Sequence, residues 1–266
     1  MTLSKSLYIR GLQCEKSLWL KKKKPEVLQA PSENAQAVFD TGTSVGELAC
    51  ELFSSGERIE FSGDFDAQIA KTKELIKRGT KVIYEATFCF DGILVMVDIL
   101  RIGVDGLIIN EVKSSTSVKE VYIDDASIQY YVISSLGYKV SGVNIIHIDS
   151  SYIRGEKLEL EKFFHTEDVT EQVKQKQVDI PQILSKFDEI LSKDVEPEID
   201  IGAQCANPYP CDAWEYCWRE QRGIPEYSIF DISGLRSKKK FELYKSGRTI
   251  AYYTANAFQA NDCIGR

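Results

Sequence analysis

The chain has no run of 18 apolar residues, and its basic N-terminal stretch (Lys5, Arg10, Lys21 to Lys24) holds no apolar core of signal-peptide length. Neither a membrane span nor a secretory leader is expected, and the expected location is cytoplasmic. Basic residues are not in excess: 33 Lys+Arg stand against 40 Asp+Glu, a net charge of −7. Binding nucleic acid through bulk positive charge is thereby excluded, and only a local basic patch is left open. No Gly-x4-Gly-Lys loop is present, so the chain carries no ATP motor of its own. Histidine is scarce. His147 lies in an apolar strand and reads as a core or edge residue, and His165, after Phe163-Phe164, reads as a helix cap. Nucleophilic catalysis through histidine is therefore not expected. No internal repeat and no low-complexity segment occurs. What is present is ordinary globular composition, 43% hydrophobic and 27% charged over 266 residues. That length fits one large or two small domains with a full core.

Periodicity divides the chain. Residues 33–53 are predicted helical, with Val45, Leu48, Ala49, Leu52 and Phe53 on one apolar face and Glu47 and Glu51 off it. A second amphipathic helix is predicted over 66–77, ended by Gly79. Residues 81–90, 93–102 and 107–113 are β-rich and separated by Asp-Gly turns, which predicts an antiparallel meander. A helix over 124–136 with an Asp cap and a strand over 140–148 follow, then a helix over 180–193 and a short basic helix over 235–246. Helices, three strands, a helix and a strand make an α/β or α+β core.

Asp98 sits within the apolar run 95–100, where an unpaired carboxylate is costly. Glu111 and Lys113, two apart on the next strand, share a face. If Val104-Asp105 is the hairpin loop, Asp98 lies opposite Glu111; if Asp105-Gly106 is, it faces Lys113. Facing carboxylates repel, and a hard cation such as Mg²⁺ or Mn²⁺ offsets them. Such a metal polarises a phosphoryl oxygen and activates water, with Lys113 beside it to orient the water or stabilise negative charge. An Asp98–Lys113 ion pair on a solvated sheet face accounts for the triplet equally well.

There are seven cysteines, an odd number that argues against a disulfide framework. Cys205-x5-Cys211-x5-Cys217 lacks the tight knuckles of zinc ribbons, and a looser loop suits a [4Fe–4S] cluster better. Three cysteines leave one ligand to come from elsewhere. Cys50 and Cys89 read as core residues, and Cys263 as a free thiol in the tail.

Asp98, Glu111-Val112-Lys113 and Gln129 together resemble the PD-(D/E)xK nuclease superfamily in its RecB-like branch. The resemblance implies a restriction-endonuclease-like core, a central mixed sheet flanked by helices, with a cysteine-cluster subdomain built from both chain ends. It implies that Asp98, Glu111 and the carbonyl of Val112 hold the metal, that Lys113 handles the water, and that Gln129 positions the site or the DNA. Gly42-Thr43-Ser44-Val45-Gly46-Glu47 is similar to the branch's G-T-x-x-H helix, but Gly46 stands where the ligating histidine is usual. Glu47 is then the substitute ligand, although one helical step turns a side chain by about 100°. Iron–sulfur members, including the CRISPR-associated adaptation exonucleases, place one cysteine before the core and three after it. By that layout Cys14 joins Cys205, Cys211 and Cys217.

In detail the chain also resembles an uncharacterised bacterial family with this core, through Asp125-Ala126-Ser127-Ile128-Gln129-Tyr130-Tyr131-Val132, Ile146-His147-Ile148-Asp149, Tyr152-Ile153-Arg154-Gly155 and Pro208-Tyr209-x-Cys211. Its typical members continue into a further domain, so a truncated form or a missing partner is one expectation. The expected organisation is a nuclease core over 30–150, a cluster region from 1–29 and 194–230, a helical connection over 151–193, and a basic helix and tail over 231–266. The expected activity is metal-dependent hydrolysis of DNA, single-stranded or at ends. The alternative is a non-catalytic nucleic-acid-binding module with a four-cysteine zinc or iron–sulfur site. Arg236, Lys238, Lys239, Lys240 and Lys21–Lys24 are the candidate phosphate contacts.

Overall fold

The Ser4 hydroxyl accepts the Leu7 N–H and so starts the first helix. In this computed structural model, residues 2–53 and 55–249 are described, and Cys263 lies outside them. A two-residue strand β1 (Leu3–Ser4) runs into α1 (Lys5–Gln13), and α2 (Glu15–Lys23) follows. The break between the helices is Cys14, whose extended backbone cannot continue either. Helix α3 (Glu33–Cys50) is capped by Ser32, and a short strand β2 (Glu57–Arg58) leads to α4 (Phe65–Arg78). Asp64 caps α4, and Gly79, at φ +82°, ends it as a left-handed residue should.

The meander forms within one residue of its expected bounds as β3 (Val82–Phe90), β4 (Ile93–Ile102) and β5 (Leu107–Lys113). Helix α5 (Glu120–Ser135) and strand β6 (Val140–Ile148) complete the central unit. Beyond it come α6 (Leu160–Phe163), β7 (Phe164–Asp168), α7 (Thr170–Lys176), α8 (Ile180–Ser192) and α9 (Ser237–Lys245).

Three expectations need correction. Helix α5 starts at Glu120 after Lys119, so Asp124 lies inside it and is not its cap. The stretch 151–193 is not purely helical, because β7 joins the sheet. His165 lies in β7 rather than at a helix cap. A short polar edge strand shows little apolar alternation, which is why the pattern missed it.

The sheet is mixed, in the order β2-β3-β4-β5-β6-β7, with β1 added on β4. Helices cover both faces, as expected for the core. One face packs Leu75 of α4, Ile128 and Val132 of α5, Val173 of α7 and Phe187 of α8 against the strands. The other packs Val45 and Ala49 of α3 against Tyr84, Ile99 and Ile146. Residues of the N-terminal segment, Leu3, Tyr8 and Leu18, belong to the first core, so that segment is part of the central unit as well as of the cysteine region.

Register creates the site. β3 follows β4 along nearly its whole length. On the other edge of β4, β5 pairs only from Ile99↔Asn110 to Ile102↔Leu107, whereas parallel β1 takes Ile93 and Leu94. Between these partners residues 95–98 are unpaired on that edge, because β5 leaves β4 to follow β6 from Leu107 to Lys113. The result is a fork. The pairing extrapolates to Asp98 opposite Glu111, the first of the two expected registers. Across β4, the β3 ladder also skips Glu85, which sits at φ +58°, a conformation uncommon outside glycine.

Candidate active site

Asp98 stands at the crotch of the fork. Its Oδ2 accepts the Val112 N–H at 2.7 Å, a donor freed where β5 departs. Its Oδ1 has no protein partner among the described residues. Glu111 is 1% exposed and fully engaged. Lys113 Nζ donates to its Oε1 at 2.7 Å and Gln129 Nε2 to its Oε2 at 2.7 Å. Lys5 Nζ donates to both oxygens, at 2.8 and 3.0 Å. Asp125, one helical turn before Gln129 on α5, accepts from Lys113 Nζ at 2.6 Å and lies 3.6 Å from Lys5 Nζ. The structure thus brings together Asp98, Glu111, Lys113 and Gln129, and adds Lys5 and Asp125.

Three carboxylates around two ammonium groups leave net negative charge in a largely buried place. Burial, and next the Glu111 carboxylate, pushes Asp98 up to about 7. The same two causes raise Asp125. For Glu111 burial acts upward too, but Lys113 and Lys5 outweigh it and hold the carboxyl well below its usual range. Burial alone would lower Lys113, yet Glu111 and Asp125 keep it an ammonium ion well above its ordinary value. Half-buried Glu85 is raised by burial, with Lys5 and Arg58 acting the other way.

The oxygen donors fit a hard divalent cation. The Asp98 Oδ1 is free to bind, and two buried acceptors, Asp125 Oδ1 and Gln129 Oε1, lack a hydrogen-bond partner. Among the described residues no three Asp, Glu, Cys or His side chains already converge as ligands of one ion. Glu47 does not join the site. It is solvent-exposed on α3, while its neighbours Val45 and Ala49 take the buried face, as the helical phase dictates.

Cys14 and, nearly 200 residues on, Cys205, Cys211 and Cys217 line one cavity, with Leu20, Ala213, Trp214 and Trp218. The Cys211 N–H donates to the Cys205 carbonyl at 2.9 Å, which folds the loop back on itself. Burial raises the thiols of Cys14, Cys211 and Cys217, the last to about 11, while N–H groups of Ser17 and Ala213 act the other way on Cys14 and Cys211. The wall is fastened to α1. Arg10 holds Asp212 through two parallel bonds of 2.7 Å, and Gln13 Nε2 donates to the carbonyls of Gln204 and Tyr209 at 2.7 Å. Of the remaining cysteines, Cys50 packs against the second core and Cys89 is half-buried in β3. His147 is buried, its ring 5.3 Å from that of His165, and neither touches the carboxylates.

Several expected phosphate contacts are engaged locally: Lys23 with Asp194, Lys24 with Tyr216, Lys239 with Glu242 and Lys240 with the Phe230 carbonyl. Lys21 and Lys22 instead line an open groove with Ser4, Ser6, Leu7 and Arg10. No helix among the described residues is long and apolar enough to cross a membrane.

No family model matches the chain, and no curated protein does. Among solved structures it is similar to that of SSO0001, with 13% identity, 79% of this chain and 87% of the other covered, and a TM-score of 0.37. It is also similar to an alkaline exonuclease from Laribacter hongkongensis, with 13% identity, 65% and 93% covered, and a TM-score of 0.29.

Proposed function

We propose that the chain is a metal-dependent DNA nuclease that carries an iron–sulfur cluster. The observation that carries the first half is the fork: Asp98 with a free oxygen, Glu111, and the ammonium of Lys113 on one face. Asp98, Glu111 and the Val112 carbonyl would hold Mg²⁺ or Mn²⁺, which when bound supplies Lewis acidity toward a phosphoryl oxygen and a more acidic water. Water attacks phosphorus and gives up a proton to solvent, the bond to the leaving sugar oxygen breaks, and the departing oxygen takes a proton from solvent. Lys113 serves as fixed positive charge beside the phosphorane-like transition state; held as an ammonium ion, it is not the base. Gln129 fixes the Glu111 carboxylate through its 2.7 Å bond.

The shared cavity supports the cluster. Four thiolates about 2.3 Å from one zinc would have to crowd within about 4 Å of one another. All four cysteines line the same apolar space. The five-residue gaps between Cys205, Cys211 and Cys217 lack the tight knuckles of zinc ribbons and suit a [4Fe–4S] group better.

One preparation tests both halves. The chain purified without oxygen should contain about four irons. It should cleave end-labelled DNA only with Mg²⁺ or Mn²⁺, and Asp98→Asn should lower the rate at least about 100-fold. Metal-independent cleavage, or full activity in that variant, would sink the mechanism. A second reading, a binding module with a degenerate site, is favoured by exposed Glu47 and by the fully engaged Glu111. DNA binding without any metal-dependent cleavage would establish it.

A further inference from the structure

Nothing in the local sequence singles out Lys5, yet its ammonium spans both oxygens of Glu111. A carboxylate presents about four lone-pair directions. Lys5 occupies two, Lys113 one and Gln129 one, so Glu111 is saturated. A cation that ligates Glu111 must displace one of these donors. Gln129 is wholly buried in α5, and Lys113 is locked by Asp125 at 2.6 Å. Lys5 has only the 3.6 Å approach to Asp125 as an alternative, and it enters the fork from a separate element. It is the donor that can yield.

We propose that Lys5 is a second lysine of the catalytic centre: it holds Glu111 in the metal-free chain, cedes it to the divalent cation, and then donates to a non-bridging oxygen of the scissile phosphate. The proposal rests on the nuclease reading above. Position supports the second role. Lys5 is the first residue of α1, where the helix favours an anion, and its chain neighbours Ser4 and Ser6 line the groove that holds Lys21 and Lys22.

The test is a calorimetric Mn²⁺ titration of the full chain purified without oxygen, as wild type, Lys5→Met and Lys5→Arg, each checked for folding by thermal melting. Lys5→Met removes the competing cation and should tighten Mn²⁺ binding about tenfold. Lys5→Arg places a forked guanidinium on Glu111 and should weaken binding by about the same factor. At saturating Mn²⁺, Lys5→Met should still lower kcat on DNA about 100-fold. Opposite shifts from the two variants are not the outcome of a merely structural role. Unchanged affinity, shifts in the same direction, or full kcat in Lys5→Met would overturn the proposal. If Lys5→Met does not fold, Lys5→Arg decides: weaker binding supports the proposal and unchanged or tighter binding overturns it. A wild-type chain that binds Mn²⁺ and cleaves DNA while both Lys5 variants match it fails Lys5 alone. A wild type that neither binds Mn²⁺ nor cleaves fails the nuclease reading, and this proposal with it.

Discussion

Asp98 is a carboxylate whose fold works against its charge. Burial first, and Glu111 second, push it up to about 7, well above the value of about 3.9 of an unfolded aspartate. The folded chain therefore holds a proton there that the unfolded chain releases. The stabilisation is complete below about pH 4 and is lost as pH rises through about 7. Asp98→Asn keeps a neutral side chain at every pH, and its amide oxygen can still accept the Val112 N–H. In urea unfolding without divalent metal, the variant should gain on the wild type between about pH 4 and pH 7. Added Mn²⁺ at the upper pH should stabilise the wild type and leave the variant unchanged. A variant that loses ground as pH rises would show that Asp98 is ionised and paired in the metal-free chain.

Helix α1 couples the two sites as an element. Its first residue is Lys5, at the carboxylates, and Cys14, at the cavity, follows its last. The far end is pinned by Arg10 to Asp212, and Gly11 lies so close to α8 that a Cβ there would meet Phe187 at 2.4 Å. Asp212→Asn removes the charged half of that clamp without touching cysteine or carboxylate. It should cost about 1.5–3 kcal/mol in denaturant unfolding and speed amide exchange in the second half of α1. A loss under about 0.5 kcal/mol with unchanged exchange would make the pair an ordinary screened contact. The elements most legible in the sequence are those with local signals. Two-residue alternation and Asp-Gly turns delimit β3 to β5, but a two-residue loop leaves Asp98 opposite either Glu111 or Lys113, and only the observed pairing selects Glu111. Lys5 is not legible, because it reaches Glu111 across 106 residues and no spacing encodes that. Asp125 was within reach, since four residues before Gln129 is one helical turn on the same face. Glu47 is exposed on α3, off the apolar stripe that the helical phase defines.

On the scale of the whole molecule, a net charge of −7 must be reconciled with the polyanionic substrate proposed above. Bulk attraction is absent, so binding must come from a few placed cations and must be strongly dependent on salt. Most of the lysines near the cysteine region are spent on Asp194, Glu242, Tyr216 and the Phe230 carbonyl. Lys21 and Lys22 are exposed and border the groove beside the first turn of α1. Neutralising both, as Lys21→Gln with Lys22→Gln, should weaken DNA binding evenly across sequences. It should also flatten the slope of log K against log salt by about 1 for each lysine. Because neither residue touches Glu111 or the cysteine cavity, Mn²⁺ affinity, iron content and kcat at saturating DNA should match the wild type. An unchanged salt slope would move the path of the DNA to another face, and a fall in kcat at saturation would place these lysines in the chemistry instead of the approach.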